Sequence, residues 1–384
     1  MLLSLEHMRR RARRRIPRVA FDYLDGGAGD EAGVRENRAA FDRLRFLPRA
    51  LRNVDAVDPS ATLFGRRWAL PFGIAPIGLG NLVWPGADAM VCRAARDAGL
   101  PYTLSTAGTT AIETIRGLAP ETSWFQLYVA REQTIAEDLI ARAEGCEVLF
   151  VTVDVPAPAR RPRDIANGLS LPLKPSLRMA ADIACHPRWT AAMLRAGQPR
   201  FANIERYAPG ATNAQALAAF MASQSSGRVD WAYLDWLRGR WLGRLVVKGL
   251  LAPEDVCRAR DAGADAVVVS NHGGRQLEAS VASLTMLPEI RRAVGPDFPL
   301  LLDSGVRSGA DVVKALVAGA DFVLIGRAAM YAVAAAGEAG VRDLVRLFEA
   351  EIRSVMAQLG VTRTQDLDAG LAYSDFGAVS SSRP

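Results

Sequence analysis

Short apolar runs recur along the chain, each followed by glycine or polar turn residues and then by a pattern of helical period. Continuous apolar runs bounded by turn signals suit strands that are buried on both faces, so these runs predict parallel strands. The eight runs are Phe72–Pro76, Tyr102–Ser105, Trp124–Val129, Val148–Asp154, Leu245–Gly249, Ala266–Asn271, Pro299–Gly305 and Phe322–Arg327.

The segments that precede three of these runs resemble one another. They read RDAGLPY from Arg96, RDAGADAV from Arg260 and LVAGADFV from Leu316. In each, a helix can end on glycine shortly before the next strand begins. Eight strand–helix units close a barrel, whereas an open doubly wound sheet has about six strands and an early GxGxxG turn, which is absent here. The sequence therefore predicts an α/β fold, a TIM (β/α)8 barrel over residues 72–335.

One interval is much longer than the others. Roughly ninety residues separate Asp154 from Leu245 and include HPRW at His186 and DWAYLDWLRGRW at Asp230. We interpret residues 165–243 as an insertion after the fourth strand. Trp beside Arg on such an excursion is typical of a surface that contacts a membrane. A lid or a subunit contact is the alternative.

The two ends of the chain carry other patterns. Residues 1–60 are expected to form an N-terminal helical segment, with two short helices over Ile16–Phe46 that are separated by DGGAGDE. Residues 360–384 are expected to form a tail whose last part, SDFGAVSSSRP, is mobile. We expect all of these parts to belong to one domain over 1–384.

The formal charge of +6 is unevenly distributed, because Met8–Arg18 contains seven Arg. This run is either a cationic patch that attracts anionic lipid or a solvated terminal arm. It has no interleaved aromatic residues and no reader motif follows it, which argues against nucleic-acid binding. The amino end, MLLSLEHM, precedes the basic run, the reverse of a signal peptide, so we expect a cytoplasmic protein.

The four cysteines are scattered along the chain, with no CxxC pair. This distribution predicts neither a disulfide framework nor a metal site, and it favours a reducing compartment. No apolar run approaches the ~18 residues that a membrane-spanning helix needs. Contact with a membrane would therefore be peripheral, on the inner face of the cell membrane.

Polar residues cluster where the predicted strands end, which in this barrel architecture is where active sites lie. Packing alone does not explain such a ring. Its members are Gly78, Ser105, Gln126, Tyr128, Thr152, Asp154, Lys248, Ser270, His272, Arg275, Asp303, Arg307, Gly326 and Arg327.

Two loops have the composition of a phosphate site. DSGVRSG (Asp303–Gly309) and IGR (Ile325–Arg327) follow the seventh and eighth strands, where barrels commonly bind a phosphoryl group with backbone N–H groups and a helix N-terminus. Glycine allows close approach of the backbone, and Arg307 and Arg327 supply charge. The loops predict a phosphorylated cofactor or substrate.

The motif SNHGGRQL (Ser270–Leu277) carries the strongest catalytic signal. Among the three histidines of the chain, His272 alone follows a predicted strand, and Arg275 comes three residues later. Histidine can accept a proton near neutral pH, and arginine can bind a carboxylate with two hydrogen bonds. His7 and His186 are interpreted as structural.

Two further strand ends carry charged residues. Val151–Asp164 reads VTVDVPAPARRPRD and places Asp154 at the barrel mouth and Arg161 on the loop that follows. An anion-binding role would use this arginine. Lys248, in VVKGL, is either an imine-forming lysine or a cation beside an electron acceptor, and the sequence does not separate these roles.

Together these strings resemble the FMN-dependent α-hydroxy acid oxidases and dehydrogenases over Tyr23 to about Leu359. FDYLDGGA, LSTA, FQLY, VKG, SNHGGRQL and DSGVRSG carry the resemblance. LVWPGAD, HPRW and LVVKGLL are most similar to the mandelate-oxidising members. The resemblance implies an FMN enzyme that oxidises a 2-hydroxy acid to the 2-keto acid, in a homo-oligomer that would be a tetramer.

The resemblance also implies roles for the residues at the mouth. His272 would accept the α-proton of the substrate, or its hydroxyl proton if a hydride leaves, and Asp303 would hold the resulting imidazolium. Arg161, Arg275 and Tyr23 would bind the substrate carboxylate, and Tyr128 its hydroxyl oxygen. Lys248 would lie near the flavin N1 and C2 oxygen. The flavin ring would be held by Pro76, Ile77, Gly78, Ser105, Gln126, Thr152 and Ser270, and its phosphate by Asp303, Ser304, Gly305, Arg307, Gly326 and Arg327.

Three positions depart from the family pattern or rest on little of it. Ala159 and Pro162 stand where relatives usually have glycine and glutamate, and the proline stiffens the loop next to Arg161 and removes a backbone N–H. Tyr23 depends on a short motif near the chain end. Metal-binding residues are not predicted.

Several functions fit this reading. Gly78 stands where many oxidases of the family carry alanine, which favours a dehydrogenase that passes electrons to a membrane quinone. The alternatives are an oxidase that uses oxygen, an L-lactate dehydrogenase, a flavin-dependent isomerase and a barrel that binds flavin without catalysis. Ala107 and Gly108 are small where relatives that use short substrates often place an aromatic residue. They favour an aromatic, mandelate-type acid.

Overall fold

The computed structural model describes residues 3–169, 176–208, 210, 216, 219–220, 223–224 and 227–373. The chain begins with helices and short strands that pack outside the barrel. These are α1 (Leu5–Arg15), α2 (Arg18–Asp25) and α3 (Ala32–Arg43), followed by β1 (Arg45–Phe46), β2 (Ala61–Leu63) and β3 (Arg66–Trp68).

Eight parallel strands form a closed barrel, which confirms the predicted TIM barrel. They are β4 (Phe72–Ile74), β5 (Tyr102–Ser105), β6 (Ser123–Leu127), β7 (Val148–Thr152), β8 (Arg244–Leu250), β9 (Ala266–Val269), β10 (Leu300–Leu302) and β11 (Phe322–Ile325). Pairing of β11 with β4 closes the cylinder, with Ile325 opposite Ile74. Several strands end earlier than predicted, so the polar residues of the ring lie on the loops just beyond them.

Helices surround the barrel and form the described part of the insertion. They are α4 (Gly80–Val83), α5 (Ala87–Asp97), α6 (Ile112–Leu118), α7 (Gln133–Ala143), α8 (Pro162–Ala166), α9 (Leu177–Ala184), α10 (Pro187–Ala196), α11 (Trp231–Arg240), α12 (Pro253–Asp261), α13 (Ser283–Val294), α14 (Gly309–Val317) and α15 (Arg327–Gln358). Among the described residues, none of these helices combines the length and the apolar character needed to span a bilayer.

The hairpin β2–β3 closes the end of the barrel where the strands begin. Its residues join a buried cluster with side chains from inside the barrel. Trp68 lies edge-on to Trp124, with 5.6 Å between the ring centroids, and 6.5 Å from the Phe322 ring. Because aromatic packing fills this end, the accessible cavity lies at the opposite mouth, where the strands end.

The basic run Met8–Arg18 is not a solvated arm. Most of it forms α1, which packs against α15. Met8, Ala12 and Ile16 are fully buried on one face, and the intervening arginines lie on the other. The apolar positions recur at a four-residue spacing, which is the period of an amphipathic helix. In the sequence, the seven arginines of this run obscure the spacing of its apolar residues.

The insertion begins after β7 and is fixed to the barrel at particular points. Trp189 of α10 donates a hydrogen bond from Nε1 to the carbonyl oxygen of Leu82 at 3.2 Å. By contrast, α9 is described completely and contains no buried residue. Leu177 is 92% exposed and Leu194 is 81% exposed. Residues 170–175 and parts of 209–226 lie outside the described residues.

The last described strand pairs with the strand that follows α3. β12 (Ala372–Tyr373) runs antiparallel to β1, with Arg45 opposite Tyr373. Turns of 3-10 helix at Thr364–Asp366 and Ala369–Leu371 lead into it. The predicted mobile stretch, SDFGAVSSSRP, lies outside the described residues.

Candidate active site

A single cavity at the barrel mouth gathers most of the predicted site. Its walls come from the loops after the strands and from α2. Among the predicted residues it is lined by Tyr23, Pro76, Ile77, Gly78, Tyr128, Arg161, Lys248, His272, Arg275, Asp303, Ser304, Gly305, Arg307, Gly326 and Arg327. The sequence patterns and the barrel geometry therefore agree on where the functional groups meet.

His272 has hydrogen-bonding contacts at both ring nitrogens. Nδ1 lies 2.9 Å from Oδ1 of Asp154, and Nε2 lies 3.3 Å from the hydroxyl of Tyr128. Its backbone adopts φ +58°, a left-handed conformation that costs a non-glycine residue energy and that recurs at active sites. The backbone N–H of His272 donates to Ser270 Oγ at 3.0 Å, which supports this conformation.

Asp154 lies on the loop directly after β7 and is nearly buried. A side chain on Gly249 would collide with it, since a Cβ there would lie 2.5 Å from Asp154 Cβ. Gly249 also has φ +111°, which strongly favours glycine. Burial raises the pKa of Asp154, but His272 and Lys248 outweigh this effect and hold the pKa below its ordinary value. The carboxylate therefore remains ionised beside the imidazole.

The prediction that Asp303 holds the imidazolium is wrong. Asp303 Oδ2 lies 3.0 Å from Nζ of Lys248, and Oδ1 accepts a hydrogen bond from Ser304 Oγ at 2.8 Å. Burial lowers the pKa of Lys248, and Asp303 and Asp154 raise it above its usual value. A buried ammonium requires a carboxylate partner, and Asp303 fills that role, so Asp154 is the carboxylate that orients His272.

Three side chains of the cavity lining suit a carboxylate ligand. The guanidinium carbons of Arg275 and Arg161 lie 5.1 Å and 5.6 Å from the centroid of the Tyr23 ring. Arg275 is fixed by donating to the carbonyl oxygens of Tyr23 and Gly26. Pro162, the departure from the family pattern, occupies the first turn of α8. Proline is tolerated there, and Arg161 still lines the cavity.

Buried polar atoms near the mouth fit a heterocyclic cofactor. Ser105 Oγ donates to Gln126 Oε1 at 2.8 Å, which fixes the orientation of that amide. Within the described part of the chain, Nε2 of Gln126 and Oγ1 of Thr152 are buried without a hydrogen-bond partner. Buried polar atoms are normally paired. A flat ring with oxygen and nitrogen acceptors, such as isoalloxazine, would satisfy them.

A second corner of the cavity concentrates positive charge. Arg327, at the N-terminus of α15, donates to the carbonyl oxygens of Leu24, Gly26 and Gly273. Burial and the neighbouring Arg275 and Arg307 lower the pKa of Arg327 to about 9. Burial likewise lowers the pKa of Arg307. Like charges held together at a helix N-terminus suit a phosphate dianion.

Other predicted residues lie just behind the cavity wall. Asp154, Ser105 and Ser270 contact the lining residues through hydrogen bonds, and Lys248 donates to Ser270 at 2.9 Å. Gln126 is buried beside Ser105. Thr152 lines an adjoining cavity instead. These positions form the support of the site.

Sequence reasoning missed several lining residues, namely Leu24, Ala75, Val83, Gly273, Gln276, Val306 and Leu324. Gly273 and Gln276 lie within the motif SNHGGRQL, which could have indicated them. The others are apolar residues without chemical signal, and only the folded chain brings them to the mouth.

The model of one protein family matches residues 12–373, and its description is FMN-dependent dehydrogenase. The chain belongs to the FMN-dependent dehydrogenase family. Membership confirms the resemblance found in the sequence, the FMN cofactor and the prediction of an enzyme that oxidises 2-hydroxy acids.

Individual members of the FMN-dependent dehydrogenase family match over nearly the whole chain. (S)-Mandelate dehydrogenase from Pseudomonas putida is 39% identical over 94% of this chain and 91% of its own length. An L-lactate dehydrogenase from Caulobacter vibrioides is 43% identical over 93% of this chain and 94% of its own. The crystal structure of the monotopic membrane protein (S)-mandelate dehydrogenase superposes on this chain with a TM-score of 0.94 and 38% sequence identity. The superposition covers 97% of this chain and 100% of that structure.

Proposed function

We propose that this protein oxidises an aromatic, mandelate-type 2-hydroxy acid to the 2-keto acid and passes the electrons to a membrane quinone. One observation carries the proposal. The Asp154-bound imidazole of His272 lies beside the Tyr128 hydroxyl in the same cavity as Arg161 and Arg275. A base and a carboxylate-binding pair in one cavity suit a substrate that carries an alcohol next to a carboxylate.

Arg275 and Arg161 would bind the substrate carboxylate, and the Tyr23 hydroxyl would assist them. Burial lowers the pKa of Arg275, and repulsion from the nearby guanidinium of Arg161 lowers it further. A bound carboxylate relieves this repulsion. Asp164 balances Arg161 at 2.9 Å, which leaves Arg275 as the arginine that gains most from an anionic ligand.

Proton removal falls to His272. Asp154 accepts the hydrogen bond from Nδ1–H, so Nε2 carries the free lone pair and can accept a proton from the substrate. The ionised Asp154 then stabilises the imidazolium that forms. The Tyr128 hydroxyl, 3.3 Å from Nε2, would donate a hydrogen bond to the substrate oxygen. Burial raises the pKa of Tyr128 well above its usual value, so the phenol stays protonated.

The residues that would hold the cofactor surround the same reaction centre. Gln126, Thr152, Ser105, Ser270 and Pro76–Gly78 would contact the ring system, and Lys248 would place its ammonium near N1 and the C2 oxygen. Ser304, Gly305, Arg307, Gly326 and Arg327 would bind the phosphate, with Asp303 holding Lys248. When bound, FMN accepts the two electrons that leave the substrate.

The preference for an aromatic acid rests on Ala107, which lies near Gly78, whereas Gly108 packs against Leu104 and lines neither cavity. A Cβ on Gly78 would lie 3.0 Å from Ala107 Cβ, so Ala107 faces this part of the cavity. Anaerobic stopped-flow reduction of the purified flavoprotein tests the preference. We expect mandelate to bleach the flavin faster than L-lactate. Equal rates, or faster reduction by lactate, would assign the protein to L-lactate dehydrogenation instead.

Membrane association is supported by the exposed leucines of α9 and α10, by neighbouring Arg178, Arg188 and Arg195, and by the monotopic relative. An apolar surface flanked by arginine suits the interface of an anionic bilayer. The cytoplasmic face of the cell membrane fits this charge. We expect co-sedimentation with vesicles of phosphatidylglycerol at low salt, and loss of binding after Leu177→Asp with Leu194→Asp. Vesicle binding that the double variant retains would exclude this surface.

The electron acceptor is tested separately. A dehydrogenase reoxidises its reduced flavin rapidly with a short-chain quinone and produces little peroxide in aerated buffer. Stoichiometric peroxide would establish an oxidase. The proposed homotetramer is tested by light scattering of the detergent-solubilised holoenzyme, and a monomeric mass would exclude it.

A further inference from the structure

A second cavity adjoins the catalytic one at the barrel mouth. It is bounded by the loops after β6 and β7 and by the described part of the insertion. Its walls are Thr106, Ala107, Tyr128, Val129, Ala130, Thr152, Val153, Val155, Pro156, Ile204, Gln224, Gly227 and Val229, and its volume is about 200 Å³. An engineered apolar cavity of roughly 150 Å³ holds a benzene molecule, so this space can take a ring or a short alkyl chain.

Two residues belong to both cavities, Ala107 and Tyr128. The Tyr128 hydroxyl points to Nε2 of His272, so one side of its ring bounds the reaction centre. Ala107 contributes only a methyl group to the partition. A substituent on the reacting carbon that points toward Ala107 can therefore extend past this methyl group into the second cavity.

The second cavity presents mainly apolar surface. Thr152 is assigned to the flavin, and the side chains of Thr106 and Gln224 form hydrogen bonds elsewhere. Thr106 Oγ1 donates to the Gln126 carbonyl oxygen at 2.7 Å and accepts from the N–H of Tyr128. The Gln224 side chain forms two hydrogen bonds with Glu132. Gln224 Oε1 accepts from the backbone N–H of Glu132, and Gln224 Nε2 donates to Glu132 Oε1 at 2.9 Å. An apolar group is the ligand that such a lining favours.

The roof of the cavity is fixed to the barrel. Asn203 is fully buried, accepts from the N–H of Ile112 at 2.9 Å and donates to the Thr110 carbonyl oxygen at 3.2 Å. It anchors its neighbour Ile204, which is 3% exposed. Gly227 approaches so closely that a Cβ there would lie 3.0 Å from the Pro156 carbonyl oxygen. The described part of the insertion therefore forms a defined wall.

We infer that this cavity binds the distal apolar part of the substrate side chain, so the enzyme prefers 2-hydroxy acids with long alkyl or arylalkyl chains over lactate. The inference rests on the proposed function, because the carboxylate at Arg161 and Arg275 and the hydroxyl at Tyr128 direct the side chain toward Ala107. Among the described residues, the lining contains no charged side chain, which favours a ligand whose far end is uncharged. Each methylene that becomes buried tightens binding about fourfold.

The experiment measures anaerobic flavin reduction of the holoenzyme by L-lactate, 2-hydroxybutanoate, 2-hydroxyoctanoate and 2-hydroxy-4-phenylbutanoate. We expect the ratio of the reduction rate constant to the apparent Kd to rise at least tenfold from lactate to 2-hydroxyoctanoate. Val229→Phe places a ring in the cavity from the insertion side and should lower the octanoate-to-lactate ratio about tenfold. Ala232→Phe, which adds the same ring at an exposed site of α11, should leave the ratio unchanged.

Equal ratios for lactate and octanoate, or equal effects of Val229→Phe and Ala232→Phe, would overturn the inference. If Val229→Phe does not fold, Val155→Phe fills the cavity from the opposite wall and is read in the same way. If Val229→Phe slows reoxidation by a short-chain quinone but leaves the octanoate-to-lactate ratio unchanged, the cavity binds the electron acceptor and the inference is overturned. Failure of every acid to reduce the flavin would instead reject the proposed function.

Discussion

His272 is held between two groups of opposite chemistry, an ionised carboxylate at Nδ1 and a protonated phenol at Nε2. The carboxylate fixes the tautomer and makes Nε2 more basic, whereas the phenol marks where the substrate oxygen binds. Proton transfer therefore depends on one imidazole whose orientation a second residue controls. The two residues can be tested separately.

His272→Ala should abolish substrate reduction of the flavin and leave the cofactor bound. Loss of a general base lowers a rate by about 100-fold to 10,000-fold, and loss of its electrostatic support adds to this. Anaerobic stopped flow with mandelate measures the rate, and the visible spectrum reports the bound flavin. Near-normal reduction by the variant would remove His272 from the mechanism.

Asp154→Asn should keep the shape of the site and lose its charge. The amide no longer stabilises the imidazolium, so we expect the limiting reduction rate to fall by roughly 100-fold or more while the apparent Kd changes little. Asp261→Asn is the matched control, because it makes the same change at an exposed carboxylate of α12 that pairs with Arg260 outside the cavity. A loss confined to binding would contradict the assignment of Asp154.

The sequence could predict His272, Arg275 and Lys248, because each follows an apolar run at a position where a barrel strand ends. It could not decide between Asp154 and Asp303 as the partner of His272. Both carboxylates follow strands near β9, and the choice depends on which of them the buried Lys248 takes. The choice depends on the distances of Lys248 and His272 from the two carboxylates in the folded barrel. The order of residues along the chain does not give these distances.

Helices α2 and α8 bring Tyr23 and Arg161 together, and one arginine connects them. Arg163 of α8 contacts Asp22 and Asp25 of α2 and, at 2.9 Å, Glu31 in the following loop. Burial raises the pKa values of Asp22 and Asp25. The positive partners outweigh this effect and bring both pKa values below the ordinary value. These partners include Arg163 and Arg18 for Asp22, and Arg9 and Arg163 for Asp25. The two ligand-binding helices are thus connected by charge.

Arg163→Met should destabilise the protein by roughly 2 kcal/mol, because it leaves nearly buried carboxylates without this partner. A carboxylate whose pKa is lowered by folding stabilises the fold above its unfolded pKa, about 4, and loses that contribution as the pH falls through the folded pKa. The melting temperature of the wild type should therefore drop below about pH 4, and the variant should show a lower melting temperature at pH 7 and a flatter acid dependence. Arg160→Met, at an exposed site nearby, is the control. Parallel curves for wild type and Arg163→Met would contradict the argument.

At the level of helices and strands, the sequence predicted the barrel because each buried strand is a local apolar run. Within the predicted N-terminal helical segment it placed no separate helix at α1, since seven arginines concealed the spacing of Met8, Ala12 and Ile16. It also missed the pairing of β1 with β12, whose two strands are short and lie more than 300 residues apart. Long-range pairing of two-residue strands leaves no local pattern to read.

The whole molecule keeps an excess of positive charge at the phosphate corner, and this excess should govern cofactor choice. Riboflavin lacks the phosphate, so we expect FMN to bind the apoprotein at least ~100-fold more tightly. Arg327→Met should reduce that difference, whereas Arg342→Met, on the exposed side of α15, should not. Fluorescence quenching titrations of both flavins give the affinities. Equal affinity for FMN and riboflavin in the wild type would exclude Arg327 as a phosphate ligand.

The guanidinium of Arg327 joins parts of the chain that are distant in sequence, since it bonds the backbone at Leu24 and Gly26 and the loop that carries His272. Until an anion compensates its charge, this junction is electrostatically unfavourable. Newly synthesised chains should therefore bind their flavin before the amino-terminal helices pack against the barrel. In chains made during riboflavin starvation, limited trypsin digestion should cut within those helices and spare the barrel. The supply of cofactor would then control the last step of folding.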